Sequence, residues 1–370
     1  MHATRIEIDT KQFILNLQAI QNKVSNVKIC LPLKANAYGH GILQMAQVAM
    51  PYVDYLAVAF WGEGRFLREN GITLPILVFG AFGSEDVPEL VTNKLEITIS
   101  SIFKATQIAN YCKSSGQRAR VHIKVDTGMN RVGVRVEAAP ELLKYVLSLP
   151  ELELVGIYSH LATADEDDRT FTLKQINSFK QVINLAKSFK PDIVCHLANS
   201  AGVCYYTDSY FDMVRPGILS YGYFPRPLDI HNTESLSQIK PCFSLKSRVI
   251  YTKTVEKNQG ISYNHRYITK SRTRVITIPI GYGDGYPRIL SNIGEVIVRG
   301  HKYTISGTIC MDMLMVDIGE NGVSYVDDEV ILIGRQGDSE ITINSVADKC
   351  ATIIYEILCG FIDRIPRVYL

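Results

Sequence analysis

The chain reads Ile-Cys-Leu-Pro-Leu-Lys-Ala-Asn-Ala-Tyr-Gly-His-Gly over residues 29–41. An apolar run ends there on Lys34, and a turn-rich segment follows directly. The pattern predicts a buried strand that gives way to a loop at Lys34. Because a lysine held at such a strand end is partly stripped of water, its pKa falls and its lone pair becomes available for Schiff-base chemistry. A lysine that snorkels to the surface is the alternative.

Seven more short apolar runs follow before residue 220, and amphipathic stretches with helical periodicity separate them. The predicted strands are 29–34, 55–60, 75–80, 95–100, 121–126, 154–160, 193–197 and 213–219. Each connection is long enough for a crossover, so the strands should lie parallel in one sheet. A count of eight predicts an α/β fold of the closed (β/α)8 TIM type. An open doubly wound sheet would carry G-x-G-x-x-G after its first strand, and that motif is missing.

After about residue 235 the pattern changes to strands joined by turns rich in glycine or asparagine. Strands are predicted at 245–255, 275–280, 296–298, 303–305, 313–318 and 330–333, and one late helix at 344–359. We therefore predict a barrel domain at residues 10–235 and a second, mainly β C-terminal domain at residues 236–370. The boundary falls in the stretch 225–240. The N-terminal strand, residues 1–9, is a candidate to join the second domain.

The composition excludes several classes of function. A net charge of +2, from 39 basic and 37 acidic residues, leaves no electrostatic footprint for nucleic acid or an anionic membrane. The eight cysteines form no C-x-x-C pair. They argue against a metal site or a disulfide framework, and they favour free thiols in a reducing compartment. With no signal segment and no apolar run of ~18 residues, we expect a soluble cytoplasmic protein.

Distinctive polar residues fall at the carboxyl ends of the predicted barrel strands, where such barrels gather their functional groups. They are Lys34, Asp126 to Arg131, His160, His196, Asn199, Ser200, Arg215, Gly217 and Ile218. Taken singly, a strand-end histidine is usually a satisfied polar residue, and Asn-Ser is usually a helix cap. Their convergence at one rim predicts a functional site.

Strand 121–126 places a lysine inside the barrel. Valine and isoleucine alternate there with His122, Lys124 and Asp126, so one set faces the helices and the other faces the interior. An inward Lys124 is unfavourable unless it is paired or modified. A pair with a carboxylate such as Asp126 and a modified lysine are both open.

The loops after the seventh and eighth strands commonly bind phosphate through backbone N–H groups and a helix N-terminus. Combined with Lys34 on the first strand, this cradle predicts a pyridoxal 5'-phosphate site. A phosphate-binding barrel without that cofactor is the competing interpretation. Arg215 would face the pyridine nitrogen, and because arginine only donates and stays charged, that nitrogen would stay unprotonated. The cofactor would then be a weaker electron sink, which disfavours transamination.

The assembled residues resemble the alanine racemase family. Lys-Ala-Asn-Ala-Tyr-Gly-His-Gly at 34–41 is similar to the cofactor-lysine signature of that family. Further motifs match in order at residues 126–131, 196–200, 260–263, 281–286, 307–312 and 366–369. Because motifs occur in both predicted domains, the resemblance covers the whole chain.

The resemblance implies an isomerase that interconverts L-alanine and D-alanine by two-base proton transfer on a pyridoxal-phosphate aldimine, supplying D-alanine for peptidoglycan. It also implies a homodimer with shared active sites. Lys34 would carry the cofactor and serve as one base, and Tyr263 of the partner subunit would serve as the other. A second base is also required physically, since inversion removes the α-proton from one face and returns one to the other.

The resemblance assigns further roles around the cofactor and the substrate. Its phosphate would be held by Tyr38, Ser200, Gly217, Ile218 and Tyr355, and Asn199 is a further cofactor-binding residue. Its ring would be met by Arg215, ordered by His196, and by the nearby His160. The substrate would be bound by Arg131, supported by Lys124, which is often carbamylated in the family, and by Met311 across the interface. Tyr282 would narrow the entrance, and Asp312 is a supporting residue.

Two positions depart from the family pattern. Gly283 stands where alanine is usual, and Asn264 stands where glycine usually follows the catalytic tyrosine. Both flank the entry route, so a serine or broad-specificity racemase is an alternative. A barrel-type amino-acid decarboxylase would instead place a carboxylate at the pyridine nitrogen and use a catalytic cysteine. A non-catalytic pyridoxal-phosphate carrier would be a lone barrel.

Overall fold

Eight parallel strands close into a barrel in the computed structural model, which describes residues 3–226 and 234–370. The strands are β1 (Lys28–Pro32), β2 (Tyr55–Val58), β3 (Ile76–Val78), β4 (Glu96–Ile99), β5 (Ala119–Asp126), β6 (Leu152–Tyr158), β7 (Val194–His196) and β8 (Met213–Val214). Each pairs with the next, and β8 returns to β1 with Met213 opposite Lys28. This closure confirms the predicted (β/α)8 barrel.

Helices alternate with the barrel strands. They are Thr10–Val24, Ile42–Ala49, Trp61–Glu69, Val87–Thr92, Ile102–Ser115, Ala139–Leu147, Thr170–Phe189 and Ser200–Tyr205. Local sequence sets their ends: the Ser101 side chain accepts the backbone N–H of Lys104, and Gly116 at φ 66° ends the same helix. The apolar face of the first helix is buried, including Phe13, Leu17 and Ile20.

The inner face of the barrel carries several buried polar side chains. His122 on β5 contacts His196 on β7, two strands away, so both imidazoles point into the interior. Glu96 and Thr98 on β4 are also buried. A buried polar group is unfavourable unless it is hydrogen-bonded, so these side chains must satisfy one another.

The chain forms two compact units. The barrel unit consists of Lys11–Ala37 and Ile42–Pro241, and the β unit consists of Met1–Thr10, Tyr38–Gly41 and Cys242–Leu370. The predicted boundary between residues 235 and 236 stays a prediction, because residues 227–233 of the connecting stretch lie outside the described residues.

Strands dominate the β unit. Its largest sheet runs in the order His301–Thr304, Glu295–Val298, Glu329–Gln336, Phe243–Arg248, Arg5–Ile8 and Arg367–Tyr369, with Ser339–Ile341 added to Glu329–Gln336. A second sheet contains Tyr251–Val255, Thr273–Ile278 and Leu314–Gly319, and a third pairs Gly260–Ile261 with Tyr267–Ile268. The N-terminal strand Arg5–Ile8 thus lies inside the largest sheet, antiparallel to one neighbour and parallel to the other.

Three predicted elements differ from the observed ones by more than a shift of a few residues at their ends. The strand at 245–255 is two strands, because the chain leaves the largest sheet after Arg248 and enters the second sheet at Tyr251. The helix at 344–359 is two helices, Ile343–Lys349 and Ile354–Gly360, separated by a turn in which Ala351 has φ 53°. Strand β8 ends at Val214, and a short 3-10 helix begins at Ile218.

Candidate functional site

Lys34 begins a left-handed turn directly after β1. Ala35, Asn36, Ala37 and Tyr38 have φ between 52° and 54°. This region costs non-glycine residues roughly 1–2 kcal/mol each, so the surrounding structure must hold it. Strained backbone of this kind is concentrated at functional sites. The strain therefore supports a functional role for the lysine at its start.

Glu63 is a residue that the sequence reasoning missed. One of its carboxylate oxygens accepts the backbone N–H of Ala35 at 2.8 Å, and the other accepts that of Ala59 at 2.8 Å. Glu63 thereby joins the loops after β1 and β2. In sequence it is an ordinary acidic residue in the first turn of a helix, which is why no signal distinguished it.

Two further hydrogen bonds close the left-handed turn. The backbone N–H of Ala37 donates to the Leu33 carbonyl at 2.7 Å, and the Asn36 side chain accepts the N–H of Ile42 at 2.7 Å. The segment around Lys34 is therefore fixed at its start, middle and end.

The Arg215 guanidinium is buried among acceptors at the barrel rim. It donates to His196 Nδ1 at 2.7 Å and to the carbonyl oxygens of Ser159 and Leu197 at 2.7 and 2.9 Å, and His160 Nδ1 lies 3.4 Å away. Burial lowers the pKa of Arg215 to about 10, so the group stays charged near neutral pH. No acceptor in the described part of the chain engages its Nε–H, which leaves that donor for a ligand.

The two rim histidines are held neutral. Burial, reinforced by the Arg215 cation, keeps the pKa of His196 well below its usual range. Burial, together with nearby positive charge that includes the Arg215 cation, does the same for the pKa of His160. The Tyr158 ring stacks on His196 with centroids 4.7 Å apart. A neutral His196 can accept from Arg215, as the geometry requires.

Lys124 is an inward lysine without a carboxylate partner. Its Nζ lies 4.3 Å from the centroid of the Tyr158 ring. No ion pair joins it to Asp126 in the described residues, so the first of the two open alternatives, a pair with Asp126, is not formed. Burial, followed by the cations of Arg215 and Arg131, holds the pKa of Lys124 well below its usual range. Asp126 instead accepts the backbone N–H groups of Gly128 and Asn130 at 2.8 and 3.1 Å, which shapes the loop leading to the exposed Arg131.

Unpaired backbone N–H groups lie at the ends of β7 and β8, where the sequence predicts a phosphate cradle. The backbone N–H groups of Ser200, Gly217 and Ile218 donate to no residue that the structure describes. The Ser200 hydroxyl accepts the N–H of Leu219 at 3.2 Å and so ties the two loops together. Asn199 caps its helix by accepting the N–H of Gly202 at 2.9 Å. Unpaired N–H groups at two helix starts are typical of a phosphate site.

The remaining predicted site residues lie in the β unit. The rings of Tyr38 and Tyr355 are 6.0 Å apart. Tyr263 is 65% exposed. It is followed by Asn264 at φ 60°, a left-handed conformation that asparagine tolerates better than most residues, which explains how it stands where the family usually has glycine.

The Tyr282 and Met311 loops are joined to each other. Gly283 N–H donates to the Met311 carbonyl at 2.8 Å. Arg364 donates to Asp312 at 2.5 Å and to the buried Asp284 at 2.7 Å. The side chains of Met311 and Tyr282 remain 53% and 43% exposed.

Two kinds of feature are missing from the described ranges. No group of three or more His, Cys, Asp or Glu side chains within residues 3–226 and 234–370 is placed to hold a metal ion. Over the same residues, no helix has the length and apolar character needed to cross a membrane.

The fold and the rim define a class: a (β/α)8 barrel with a phosphate-type cradle after β7 and β8, followed by a mainly β domain. The alanine racemase N-terminal domain family matches residues 8–225, and the alanine racemase C-terminal domain family matches residues 242–369. The chain belongs to the alanine racemase family.

Relatives match over the full length. The chain is 40% identical to the alanine racemase of Halothermothrix orenii, covering 99% of this chain and 96% of the relative. It is 36% identical to the alanine racemase of Methanococcus maripaludis, covering 100% of this chain and 99% of the relative. The solved alanine racemase of Clostridium difficile superposes with a TM-score of 0.92 at 38% identity, covering 100% of this chain and 96% of that one. The Bacillus anthracis alanine racemase, solved with bound L-Ala-P, superposes with a TM-score of 0.93 at 34% identity, covering 100% of this chain and 95% of that one.

Proposed function

We propose that the chain interconverts L-alanine and D-alanine with pyridoxal 5'-phosphate bound at the barrel rim. The observation that carries the proposal is Arg215, a charged and buried guanidinium with an unengaged Nε–H at the rim that also carries Lys34. An arginine at the pyridine nitrogen suits proton transfer better than transamination, because it leaves that nitrogen unprotonated.

The residues present fit the cofactor. The unpaired N–H groups of Ser200, Gly217 and Ile218 would hold its phosphate, and the Arg215 Nε–H would donate to its pyridine nitrogen. When bound, pyridoxal phosphate withdraws electrons from an amino-acid substrate and makes its α-hydrogen acidic. His160 and His196 are neutral and add no competing charge near the ring.

Two bases would move the α-proton on opposite faces of the substrate. Lys34 would serve one face, held in place by its left-handed turn, and the partner subunit's Tyr263 would serve the other. Arg131 would bind the substrate carboxylate, with Lys124 behind it, and the partner subunit's Met311 would pack against the substrate side chain.

A homodimer with shared sites is part of the proposal. Tyr263, Met311 and Tyr282 expose large apolar surfaces on the β unit, which is unfavourable unless a second copy covers them. We also infer a reducing, cytoplasmic location, because all eight cysteines carry free thiols.

The test combines covalent trapping with a substrate panel. Purified protein loaded with pyridoxal 5'-phosphate should be yellow, and borohydride reduction with peptide mapping should place the label on Lys34. A panel of D- and L-amino acids should show inversion of alanine. A label on Lys124, or no inversion of alanine, would refute the proposal, and faster inversion of serine would favour the serine or broad-specificity alternative.

A further inference from the structure

A continuous chain of hydrogen bonds crosses the barrel interior. Glu96 Oε2 lies 2.6 Å from His122 Nε2, His122 Nδ1 lies 3.1 Å from His196 Nε2, and His196 Nδ1 lies 2.7 Å from Arg215 Nη1. None of the four residues is more than 3% exposed. This hydrogen-bond chain links β4, β5 and β7 to the loop after β8.

Chemistry permits only one arrangement of protons in this chain. Arginine only donates, so His196 Nδ1 must accept and the single proton of that neutral imidazole must sit on Nε2. His122 Nδ1 must then accept from His196, which puts the His122 proton on Nε2. The His122 Nε2–H then donates to Glu96, which accepts as a carboxylate. Any other arrangement sets two donors or two acceptors against each other.

The two ends of the chain carry opposite charges. No carboxylate in the described ranges forms an ion pair with Arg215, whereas Glu96 is a buried anion at the far end. Glu96 Oε1 forms an ion pair with Arg120 at 3.1 Å, and Arg120 is about half exposed. The barrel thus separates the Glu96 carboxylate from the Arg215 cation by two imidazoles. Arg215 has no carboxylate beside it within the described ranges. Each imidazole directs its N–H toward the Glu96 carboxylate and its accepting nitrogen toward the Arg215 cation, so the ring dipoles stabilise both charges.

We propose that Glu96 and His122 are positioning residues for Arg215. Acting through His196, they fix the acceptor that faces the guanidinium, and so they hold its Nε–H toward the ring nitrogen of the bound cofactor. The inference rests on the proposed function, in which Arg215 meets that nitrogen. The family resemblance has only His196 order Arg215; the roles of Glu96 and His122 follow from the hydrogen-bond directions.

Removing the acceptor should release the outer end of the hydrogen-bond chain. In Glu96→Leu the buried His122 Nε2–H loses its partner, whereas Arg215 still requires His196 Nδ1 to accept, so both histidine protons should stay on Nε2. His122, anchored at one ring nitrogen only, should then hold the His196 ring and the Arg215 guanidinium less firmly. Glu96→Gln keeps an oxygen acceptor without the charge and should preserve the hydrogen bond from His122 Nε2–H. Thr98→Val is the matched control, because Thr98 is buried on the same strand and hydrogen-bonds Tyr158 rather than a histidine.

The experiment is 15N NMR of the imidazole side chains in histidine-labelled enzyme loaded with pyridoxal 5'-phosphate. The unsubstituted enzyme, Thr98→Val and Glu96→Gln should show His122 and His196 with the proton on Nε2 and a hydrogen-bonded His122 Nε2–H. Glu96→Leu should keep both protons on Nε2 but lose the hydrogen-bond shift of the His122 Nε2–H signal. Glu96→Leu should also lower kcat for alanine by about tenfold to a hundredfold, the range for outer residues that orient a functional group, with little change in KM. Glu96→Gln should recover most of that loss.

The outcomes separate the two proposals. An Nδ1–H signal from either histidine in the unsubstituted enzyme overturns the positioning inference, even if Glu96→Leu fails to fold. An active racemase whose kcat is the same in Glu96→Leu also overturns it. A protein that shows the expected proton arrangement but inverts no alanine refutes the proposed function, not the arrangement.

Discussion

The carboxylate of Glu63 receives the backbone N–H of Ala35 at 2.8 Å, one residue beyond Lys34. Its second oxygen binds the loop after β2, so one side chain fixes two neighbouring loops of the rim. The strained turn that follows Lys34 therefore depends on a residue nearly thirty positions away in sequence.

Glu63→Ala should destabilise the barrel by about 2 kcal/mol, the scale of a hydrogen bond to a charged acceptor. Urea unfolding would measure the change. Glu69→Ala is the matched control, since Glu69 lies on the same helix and makes only an exposed ion pair with Arg65 at 3.4 Å. Its loss should be below about 0.5 kcal/mol. Equal losses in the two variants would show that Glu63 does not hold the turn.

Lys124 should carry a carbamate in the presence of carbon dioxide. Its depressed pKa leaves a neutral amine, which is the form that reacts, and the product anion would face the cations of Arg215 and Arg131. NMR with 13C-bicarbonate should show a carbamate signal that Lys124→Met lacks. A signal that persists in Lys124→Met would assign the carbamate elsewhere.

Tyr263→Phe should separate the two directions of proton transfer. By the family pattern Tyr263 serves L-alanine and Lys34 serves D-alanine, so the variant should lose racemisation by ~10²–10⁴-fold, the value of a general base, yet still exchange the α-hydrogen of D-alanine with solvent. Deuterium incorporation into each enantiomer measures this. Equal loss of exchange for both enantiomers would contradict the two-base assignment.

Subunit mixing tests whether the partner supplies Tyr263. Heterodimers of Lys34→Ala and Tyr263→Phe contain one site with both bases and should regain activity, while each variant alone stays inactive. If verified heterodimers stay inactive, the two bases do not come from different subunits.

Gly283→Ala should restrict substrate size. An added Cβ would lie 3.0 Å from both the Cγ and the carbonyl oxygen of Met311, so Met311 must shift by a few tenths of an ångström. We expect kcat/KM for serine to fall relative to alanine by about threefold to tenfold, within the range for one methyl group in a tight pocket. Gly360→Ala is the control, because its Cβ would meet nothing closer than 3.7 Å. An unchanged ratio of kcat/KM for serine to that for alanine would show that Gly283 does not determine substrate specificity.

The barrel was predictable from sequence because the alternation of apolar runs and crossover helices is a local signal that repeats eight times. The rim residues were predictable because they follow those runs. The hydrogen-bond chain was not, since its partners are separated by 26, 74 and 19 positions, and a single sequence does not show which inward side chains meet. The left-handed turn was also hidden, because alanine at positions 35 and 37 favours the right-handed helix and only tertiary contacts override that preference.

The turn beside Lys34 has the mirror-image handedness of an ordinary helix. For a D-amino acid the same φ and ψ are the relaxed ones, so the strain belongs to the L-residues and not to the path of the chain. D-alanine introduced by chemical ligation at Ala35 or Ala37 should therefore relieve roughly 1–2 kcal/mol per residue, whereas the same exchange in a right-handed helix would add strain. A protein proposed to handle both enantiomers of alanine thus holds two of its own alanines in the backbone geometry of the other hand.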